Sequence, residues 1–371
     1  MADKPADKAK VYEGYNLMIL IPVILLIALG LLMVYSASSN LAEHRFGDSN
    51  FYLKRQILFC VIGIATMLVT RYIPCTLYKK LVYPLLLLSA LLLVLLFVPG
   101  LGRKVGGAYR WMNLGGFSFQ PSEMVKFSLV VYLAYSMSKK GADLELFTKG
   151  LLPHILVVGT FMVLIYLQPD LGTAVIIGVW ALVLLFVGGV RILQLFSLFL
   201  LAAPVLIYLV WNAEYRVKRW LAFMNPWDDP KGIGFQIIHS FLAFGSGGIF
   251  GAGLGNSKQK LFYLPEPHTD FALSIMGEEL GFVGVTTTIV LFGVLIMGGI
   301  RIALNSKDLY SSYLALGLTC FLGLQVIVNM AVVLGMLPTK GLTLPLISYG
   351  GSSLVMTLAG IGVLLNISSR N

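Results

Sequence analysis

Long apolar blocks follow one another along almost the whole of this 371-residue chain, separated by short polar connections. Most blocks are about 18 to 25 residues long, and a helix of that length crosses the ~30 Å hydrocarbon layer of a bilayer. Charged residues make up only 12% of the chain, about half of what a soluble domain carries. We therefore predict an all-α, polytopic integral membrane protein with ten transmembrane helices, at 15–37, 55–73, 80–98, 122–138, 151–168, 171–189, 192–212, 271–299, 310–335 and 343–367.

The short connections between the blocks determine the predicted domain organisation. They leave no room for a separate soluble domain, so we expect a single membrane domain over 1–371 with a cytoplasmic tail at 1–14. The long connection at 213–270 is predicted to be a large extracytoplasmic loop between helices 7 and 8. An even number of crossings places both chain ends on one side. Lys and Arg are more numerous on that side once the long loop is left out, which predicts cytoplasmic termini.

The charge and the cysteines exclude several classes of function. The net charge of +10 is spread over both predicted faces without a basic arm or a recognisable nucleic-acid module, so no nucleic-acid partner is expected. Positive side chains beside a bilayer instead favour membrane lipids with anionic headgroups. Cys60, Cys75 and Cys320 fall in or beside predicted spans, and three scattered cysteines predict neither disulfides nor a metal cluster.

The segment 260–280 brings ionisable residues to the edge of the eighth block, namely Glu266, His268, Asp270, Glu278 and Glu279. Carboxylates at such a border lose hydration and mark functional sites. Asp270 either caps the following helix or acts in catalysis. Asp270 and Glu278 would lie about 80° apart around a helix and ~12 Å along it. They therefore cannot form the close carboxylate pair of a glycosidase, which favours one base with structural acids.

The connection before the fourth block combines charged, aromatic and turn-forming residues, including Arg110, Trp111 and Gln120. Glu123 follows at the predicted helix start, and Lys126 lies three residues further on the same helical face. Two interpretations of Lys126 stay open. It forms a local ion pair with Glu123, or it points into a cavity and balances another carboxylate, because a lysine inside a span needs a specific partner.

Three further connections contribute candidates. Asp170 is placed to cap the sixth helix or to join a site. Arg219 lies on a predicted short helix that follows the membrane interface. The segment before the last block is broken by two prolines and three glycines, and non-helical backbone at membrane depth survives only where protein or a water cavity covers it. Lys340, Ser348 and Tyr349 are therefore predicted to line a cavity, with simple helix termination as the alternative.

Several long motifs in a fixed order resemble one family of membrane proteins. They are GGAYRWMNLGGFSFQPSE, QPDLGT, NPWDDP, GAGLGNSKQKL, YLPEPHTDF, GEELGFVG and MLPTKGLTLPLISYGGSS. Together they resemble the SEDS family (shape, elongation, division and sporulation proteins), and the motifs GAGLGNSKQKL and MLPTKGLTLPLISYGGSS resemble its division branch more than its elongation branch. One departure is Phe262, where many division-type members have an acidic residue.

The resemblance implies a peptidoglycan glycosyltransferase that polymerises lipid II into glycan strands at the outer face of the bacterial cytoplasmic membrane, at the division septum. It implies ten helices, with both termini in the cytoplasm and a large loop between helices 7 and 8. It also places catalysis on Asp270 of the HTDF motif, with Lys126 as its ion partner. The residues assigned to substrate binding are Arg110, Trp111, Gln120, Glu123, Asp170, Arg219, Glu266, His268, Lys340, Ser348 and Tyr349.

The resemblance further implies partners and leaves alternatives. A class B penicillin-binding protein is expected to crosslink the product, together with other division proteins. A divalent cation, Mg²⁺ or Mn²⁺, could assist the pyrophosphate, but the sequence offers no clear ligand set. The competing functions are a lipid II flippase, which would place ionisable groups near mid-membrane, and a division scaffold without activity.

Overall fold

Backbone polar groups inside a bilayer must be satisfied within the chain, and the apolar blocks accordingly fold as helices. The computed structural model describes residues 16–105, 108–114, 117–261 and 264–370, so the predicted tail at 1–14 and Phe262 lie outside it. The α-helices are α1 (Leu17–Phe46), α2 (Phe51–Tyr72), α3 (Cys75–Leu95), α4 (Pro121–Lys140), α5 (Leu152–Tyr166), α6 (Leu171–Val187), α7 (Ile192–Trp211), α8 (Glu214–Met224), α9 (Phe235–Gly247), α10 (Ala272–Asn305), α11 (Leu309–Val333) and α12 (Gly351–Ser368).

Each of the ten predicted spans coincides with one of these helices. Within the described ranges, eight helices are long and apolar enough to cross a membrane, namely α1, α2, α3, α5, α7, α10, α11 and α12, with α5 counted together with the preceding π-helical turn. Helix α6 is apolar but shorter, and α4 carries four charged residues along its length. The chain is therefore a multi-span helical membrane protein. The last predicted span was wrong at its start, because α12 begins only at Gly351 and 336–350 is irregular.

A small antiparallel sheet precedes α4, which an all-α fold did not predict. Its strands are β1 (Gly102–Val105), β2 (Ala108–Leu114) and β3 (Phe117–Phe119), in the order β1-β2-β3. Arg103 pairs with Trp111, and Met112 pairs with Phe119. The hydroxyl of Ser352 on α12 donates to the carbonyl of Ser118, 3.2 Å away. This contact ties the sheet to the start of α12 and holds β2 over the same end of the bundle.

The long connection at 213–270 contains more regular structure than a loop. It includes α8, where a short helix was predicted, a 3₁₀ turn (Pro226–Asp228) and α9. Helix α9 packs against α10 through buried Ile237, Ile238 and Ala243. The hydroxyl of Ser240 donates to the carbonyl of Val333, 2.6 Å away, which fixes α9 to the end of α11.

The bundle has two ends with different contacts. At one end the start of α1 approaches the end of α12, where Asn16 Nδ2 donates to Ser368 Oγ at 3.0 Å. We call this the terminal end. At the opposite end, Arg45 at the close of α1 lies 3.7 Å from Glu266, beside Asp270. We call this the site end.

Candidate active site

Asp270 lies at the site end, two residues before the first residue of α10. Asn329 of α11 holds it there, because Asn329 Nδ2 donates to the carbonyl of Asp270 at 3.2 Å and also to the carbonyl of Leu342. The irregular segment passes directly beside the carboxylate: a Cβ on Gly341 would lie 2.9 Å from Asp270 Oδ2. The first turn of α10 has no side-chain cap, so the capping interpretation of Asp270 is wrong.

The surroundings of Asp270 change its ionisation. Burial raises the pKa of the Asp270 carboxyl, and the Glu266 carboxylate raises it further, to about 7. Arg219, Arg110 and Lys340 act in the opposite direction by favouring the carboxylate. Part of the residue remains accessible to solvent. A carboxyl group with a pKa near neutral pH can accept a proton and release it again, which is the requirement for a general base.

Asp170 is the second buried carboxylate of this end. Its Oδ1 accepts from the backbone N–H of Thr173 at 3.1 Å, so it caps α6 as one interpretation predicted. Its Oδ2 accepts from the Thr173 hydroxyl at 2.9 Å and lies 3.7 Å from Arg110 Nε. Burial alone would raise its pKa, but Lys340, Arg110 and the Thr173 hydrogen bonds outweigh burial and lower the pKa of Asp170. Capping and participation in the cluster are thus both observed.

Lys340 comes from the irregular segment and lies against the start of α6. Its Nζ is 3.4 Å from the Thr173 hydroxyl, and the side chain crosses Gly172, where a Cβ would collide with it. Burial lowers the pKa of Lys340 to about 7, although the nearby Asp170 carboxylate raises it. Lys126 and Arg110 lower the pKa further, and Glu123 raises it. Lys340 therefore gains or loses its proton near neutral pH. It directly precedes Gly341, whose backbone passes beside the Asp270 carboxylate.

Lys126 is paired with Glu123 rather than with Asp270. The Nζ of Lys126 lies 2.6 Å from Glu123 Oε2, and both side chains are buried. The ammonium also lies 5.2 Å from the centre of the Phe321 ring, a cation–π contact. Glu123 and Lys126 together line a small cavity of about 60 Å³ between α4, α10, α11 and α12, whose walls are mostly apolar. The local ion pair is thus observed, and the expected direct partnership with Asp270 is not.

Glu266 and His268 precede Asp270 in the chain, and Glu266 lies close enough to raise the pKa of Asp270. Glu266 is exposed, with a left-handed φ of 48°. His268 is buried, and burial lowers its pKa to about 4, so its 3.7 Å contact with Glu266 joins a carboxylate to a neutral ring. The Tyr349 N–H donates to the His268 carbonyl at 2.8 Å, and the Tyr52 ring lies 4.4 Å from the His268 ring.

The structure also gives the positions of four other residues that were predicted to bind substrate. Trp111 is half-buried on β2, and Arg219 is exposed on α8. The backbone N–H of Gln120 donates to Ser352 Oγ at 3.1 Å. Ser348 is buried and accepts from the Leu344 N–H at 2.9 Å, so its hydroxyl stabilises its own segment.

Sequence reasoning missed three residues that position the site. Asn329 holds Asp270, Thr173 bonds both Asp170 and Lys340, and Gly341 makes room for the Asp270 carboxylate. An asparagine within the apolar run VIVNMAVV is a signal that could have been used, because amides inside a span need a partner. No such signal marks Gly341. Among the described residues, no group of three His, Cys, Asp or Glu side chains could hold a metal ion.

Comparison with known proteins places the chain in a family. The sequence profile of the FtsW/RodA/SpoVE proteins, described as cell cycle proteins, matches residues 16–371. A probable peptidoglycan glycosyltransferase FtsW of Geobacter sulfurreducens is 47% identical over 97% of both chains, and stage V sporulation protein E of Bacillus subtilis is 44% identical over 95% of this chain and 96% of its own.

Solved structures similar to this chain support the same family. One chain comes from work on the coordination of polymerization and crosslinking by a peptidoglycan synthase complex; it has a TM-score of 0.80 at 33% identity, over 97% of this chain and 99% of its own. The rod shape determining protein RodA of Thermus thermophilus has a TM-score of 0.72 at 31% identity, over 97% and 98%. This chain therefore belongs to the FtsW/RodA/SpoVE family of cell cycle proteins.

Proposed function

We propose that this protein is a peptidoglycan glycosyltransferase that polymerises lipid II, with Asp270 as its general base. The observation that carries the proposal is the partly accessible Asp270 carboxyl, with a pKa of about 7, facing the positive charges of Arg219, Arg110 and Lys340. Two FtsW and SpoVE relatives cover nearly the whole chain, and the first is named for this activity. The pairing of one base with several cations fits glycosyl transfer from a pyrophosphate donor.

The proposed reaction is a single displacement at the anomeric carbon of the donor sugar. Asp270 takes the proton from the 4-hydroxyl of the acceptor sugar as that oxygen attacks. The new bond between the anomeric carbon and the acceptor oxygen forms while the bond to the undecaprenyl pyrophosphate oxygen breaks. The α-linked donor thereby becomes a β-linked product, and the proton leaves Asp270 to solvent.

The cations near Asp270 suit the leaving group. Negative charge develops on the bridging oxygen of the pyrophosphate as the bond breaks, and preorganised positive groups stabilise that charge in the transition state. Arg110 and Lys340 are held in place by Asp170 and Thr173. Arg219 is exposed on α8 and is free to reach a headgroup. These three side chains form the proposed pyrophosphate subsite.

The other residues of the site support this arrangement in our proposal. Lys126, neutralised by Glu123, adds positive field near Lys340, as its effect on the pKa of Lys340 indicates. Glu266 raises the pKa of the base and contacts His268, while Trp111 lies on the sheet and Gln120 follows its last strand. We propose that the headgroup binds between this sheet and Asp270 while the lipid chain stays in the bilayer. No step here requires a metal ion.

Ten crossings fit the geometry better than eight. Helix α6 begins at Asp170, which contacts Arg110 at the site end. Its far end contacts α4, where a Cβ on Gly188 would press against Met137. Both α4 and α6 thus run from the site end toward the terminal end. We propose that they complete ten spans, with cytoplasmic termini, the connection 213–270 outside, and residence in the cytoplasmic membrane at the division septum.

A partner is part of the proposal. A crosslinking enzyme must act on the new strand, and the relative with a TM-score of 0.80 comes from a peptidoglycan synthase complex that couples polymerization to crosslinking. We propose a class B penicillin-binding protein as that partner, within the assembly of other division proteins.

The decisive experiment compares Asp270→Asn with the parent protein, both purified in detergent and supplied with labelled lipid II. Asp229→Asn is the matched control, because Asp229 is exposed on the same long connection. We expect polymer from the parent and from Asp229→Asn, and none from Asp270→Asn of equal monodispersity. Polymer formed by Asp270→Asn would remove Asp270 from the mechanism. Transbilayer movement of lipid II without polymer, in vesicles carrying the parent, would support the flippase alternative instead.

A further inference from the structure

Helix α10 is interrupted close to the site. Gly281 has a φ of 64° and a ψ of −161°, so the nine residues Ala272–Leu280 form a separate short helix before the long one. A helix break leaves carbonyls before it and N–H groups after it without helical partners. The glycine-rich segment 247–253 supplies those partners.

Four backbone hydrogen bonds cross the break. The N–H groups of Phe282 and Val283 donate to the carbonyls of Gly248 and Ile249, at 2.9 and 3.1 Å. In the opposite direction, Ala252 and Gly253 donate to the carbonyls of Glu278 and Glu279, at 2.9 and 3.1 Å. The glycine-rich segment is therefore inserted into α10 as part of its hydrogen-bond ladder.

Glycine is required at this insertion. A Cβ on Gly281 would lie 2.6 Å from the carbonyl oxygen of Ile249. A Cβ on Gly251 would press on the carbonyl group of Glu279, and the φ of Gly251 is 82°. The GAGLG and GEELG motifs are thus two halves of one joint.

The side chains of Glu278 and Glu279 complete the joint. Glu278 accepts from the Ser257 hydroxyl and from the N–H groups of Lys258 at 2.9 Å and Gln259 at 3.3 Å. Both carboxylates are buried, with at most 2% of their surface exposed. Buried carboxylates accepting several backbone N–H groups hold a loop firmly, because each loses its solvation unless those bonds are kept.

Glu279 links this loop to α1. It lies 2.9 Å from Lys260 Nζ, and the Ser36 hydroxyl of α1 donates to it at 2.6 Å. Lys260 also donates to Ser36 Oγ at 3.0 Å. Lys260 is itself buried.

We propose that Glu278 and Glu279 are positioning residues, which fix the short helix Ala272–Leu280, and with it Asp270, against the long connection and α1. This inference rests on the proposed role of Asp270 as general base. The short helix is held at its start by Asn329 and at its end by this joint. A base must lie within hydrogen-bond reach of its proton, and a displacement of 1 Å can lower a rate about 100-fold.

The test uses purified enzyme variants and labelled lipid II. Glu279→Gln keeps the size of the side chain but leaves Lys260 without a counter-charge. Gly281→Ala strains the joint without touching either carboxylate. We expect each to lower kcat by about 10- to 100-fold, with KM changed less than about threefold, when rates are expressed per folded, monodisperse protein. Gly293→Ala is the matched control, because nothing lies within 4 Å of a Cβ at that position of the same helix.

A pH profile separates positioning from a general loss of stability. A displaced Asp270 has a new distance to Glu266 and the cations, so the acidic limb of the rate should shift by about half a pH unit or more. A variant that is merely less stable keeps the parent limb and the parent kcat per folded molecule, and that result would overturn the proposal. If neither variant folds, the same kinetic and pH measurements are made on Ser36→Ala. This substitution removes only the hydroxyl that donates to Glu279.

The result stays distinct from the test of the proposed function. If Asp270→Asn is active, Asp270 is not the general base, whatever the activity of Glu279→Gln. An inactive Asp270→Asn together with parent-like kinetics of Glu279→Gln and Gly281→Ala rejects only the positioning role.

Discussion

Asp270 and Lys340 are an acid and a base whose pKa values meet near neutral pH. Burial drives both changes, upward for the Asp270 carboxyl and downward for the Lys340 ammonium. The two groups therefore titrate over the same pH range, and the positive charge of Lys340 lowers the pKa of Asp270. In the proposed reaction Asp270 must be ionised to accept a proton, whereas Lys340 must be protonated to stabilise the pyrophosphate.

The rate of polymerisation is expected to follow a bell-shaped pH profile with its maximum near pH 7. Below about 7 the Asp270 carboxyl is protonated and loses its function as a base, so the rate falls as the pH falls. Above about 7 Lys340 loses its proton, so the rate falls as the pH rises. Initial rates with saturating lipid II at constant ionic strength measure this directly. A rate that rises to a plateau above pH 8 would show that the charge of Lys340 is not needed.

Asp170→Asn is predicted to move the alkaline limb of this profile more than the acidic limb. The Asp170 carboxylate raises the pKa of Lys340, so its removal lowers that pKa and shifts the alkaline limb to lower pH. The acidic limb, which belongs to Asp270, should move less, because the charge of Lys340 affects the pKa of Asp270 less than Glu266, Arg219 and Arg110 do. Asp308→Asn provides the control, because Asp308 also caps a helix but contacts Lys79 at the terminal end. Identical profiles for Asp170→Asn and the parent would contradict the coupling.

The sequence could point to Asp270 and the cations, whose catalytic roles stay predictions, but not to the residues that contact them. A motif and a border position were sufficient for Asp270. The partner of Lys126 was ambiguous, because Glu123 and a distant carboxylate fit the same helical face until the packing of α4 was known. Asn329 and Thr173 act through contacts between helices that are far apart in sequence, at separations of 59 and 167 residues, and no local pattern encodes such contacts.

At the scale of the element, α4 carries an ion pair where an apolar helix would be expected. Both Glu123 and Lys126 are buried, and removing one partner of a buried pair leaves an uncompensated charge, at a cost of about 3–5 kcal/mol. Replacing both partners by neutral residues avoids most of that cost. Variants of this pair can therefore show whether Lys126 is needed for stability or for the reaction.

Lys126→Met is expected to lower stability by about 3 kcal/mol, and Glu123→Gln combined with Lys126→Met to recover most of it. Thermal unfolding of the purified protein in detergent measures both, with Lys139→Met on the exposed end of α4 as the control. If activity returns with stability in the double variant, the pair is structural. Activity that stays lost would assign Lys126 a part in the reaction, through its field at Lys340.

The break in α10 shows where prediction of elements from sequence reached its limit. The apolar period of 271–299 indicated one continuous helix, and Gly281 is a single glycine among several. Its left-handed backbone depends on a segment 30 residues earlier that donates and accepts across the gap. The sheet over Gly102–Phe119 was missed for a related reason, since its strands are short and pair only with each other.

At the scale of the whole molecule, burial is unevenly distributed among the helices. In α12, 78% of the most apolar window is buried, whereas in α7 the share is 6%. Helix α12 packs on α2 and α11 at the centre, and α7 is attached mainly through α6 and α8. The order of the long apolar helices followed from the apolar blocks, but this difference between a central and a peripheral helix did not, because both blocks are long and apolar enough to span a membrane.

The number of crossings yields the last prediction, because eight and ten spans place one connection on opposite sides. In the ten-span arrangement α4 returns the chain to the cytoplasm, so Ala142 in the turn Gly141–Glu145 faces inward. If α4 and α6 do not cross, that turn lies outside. In both arrangements Lys231 lies outside, which makes it an internal reference.

Both positions are exposed, and the native cysteines are buried or half-buried, so Ala142→Cys and Lys231→Cys can be probed singly. A membrane-impermeant thiol reagent on intact cells is expected to label Lys231→Cys at once and Ala142→Cys only after permeabilisation. If both variants are labelled before permeabilisation, the turn that follows α4 lies outside the cell. That result would exclude ten spans.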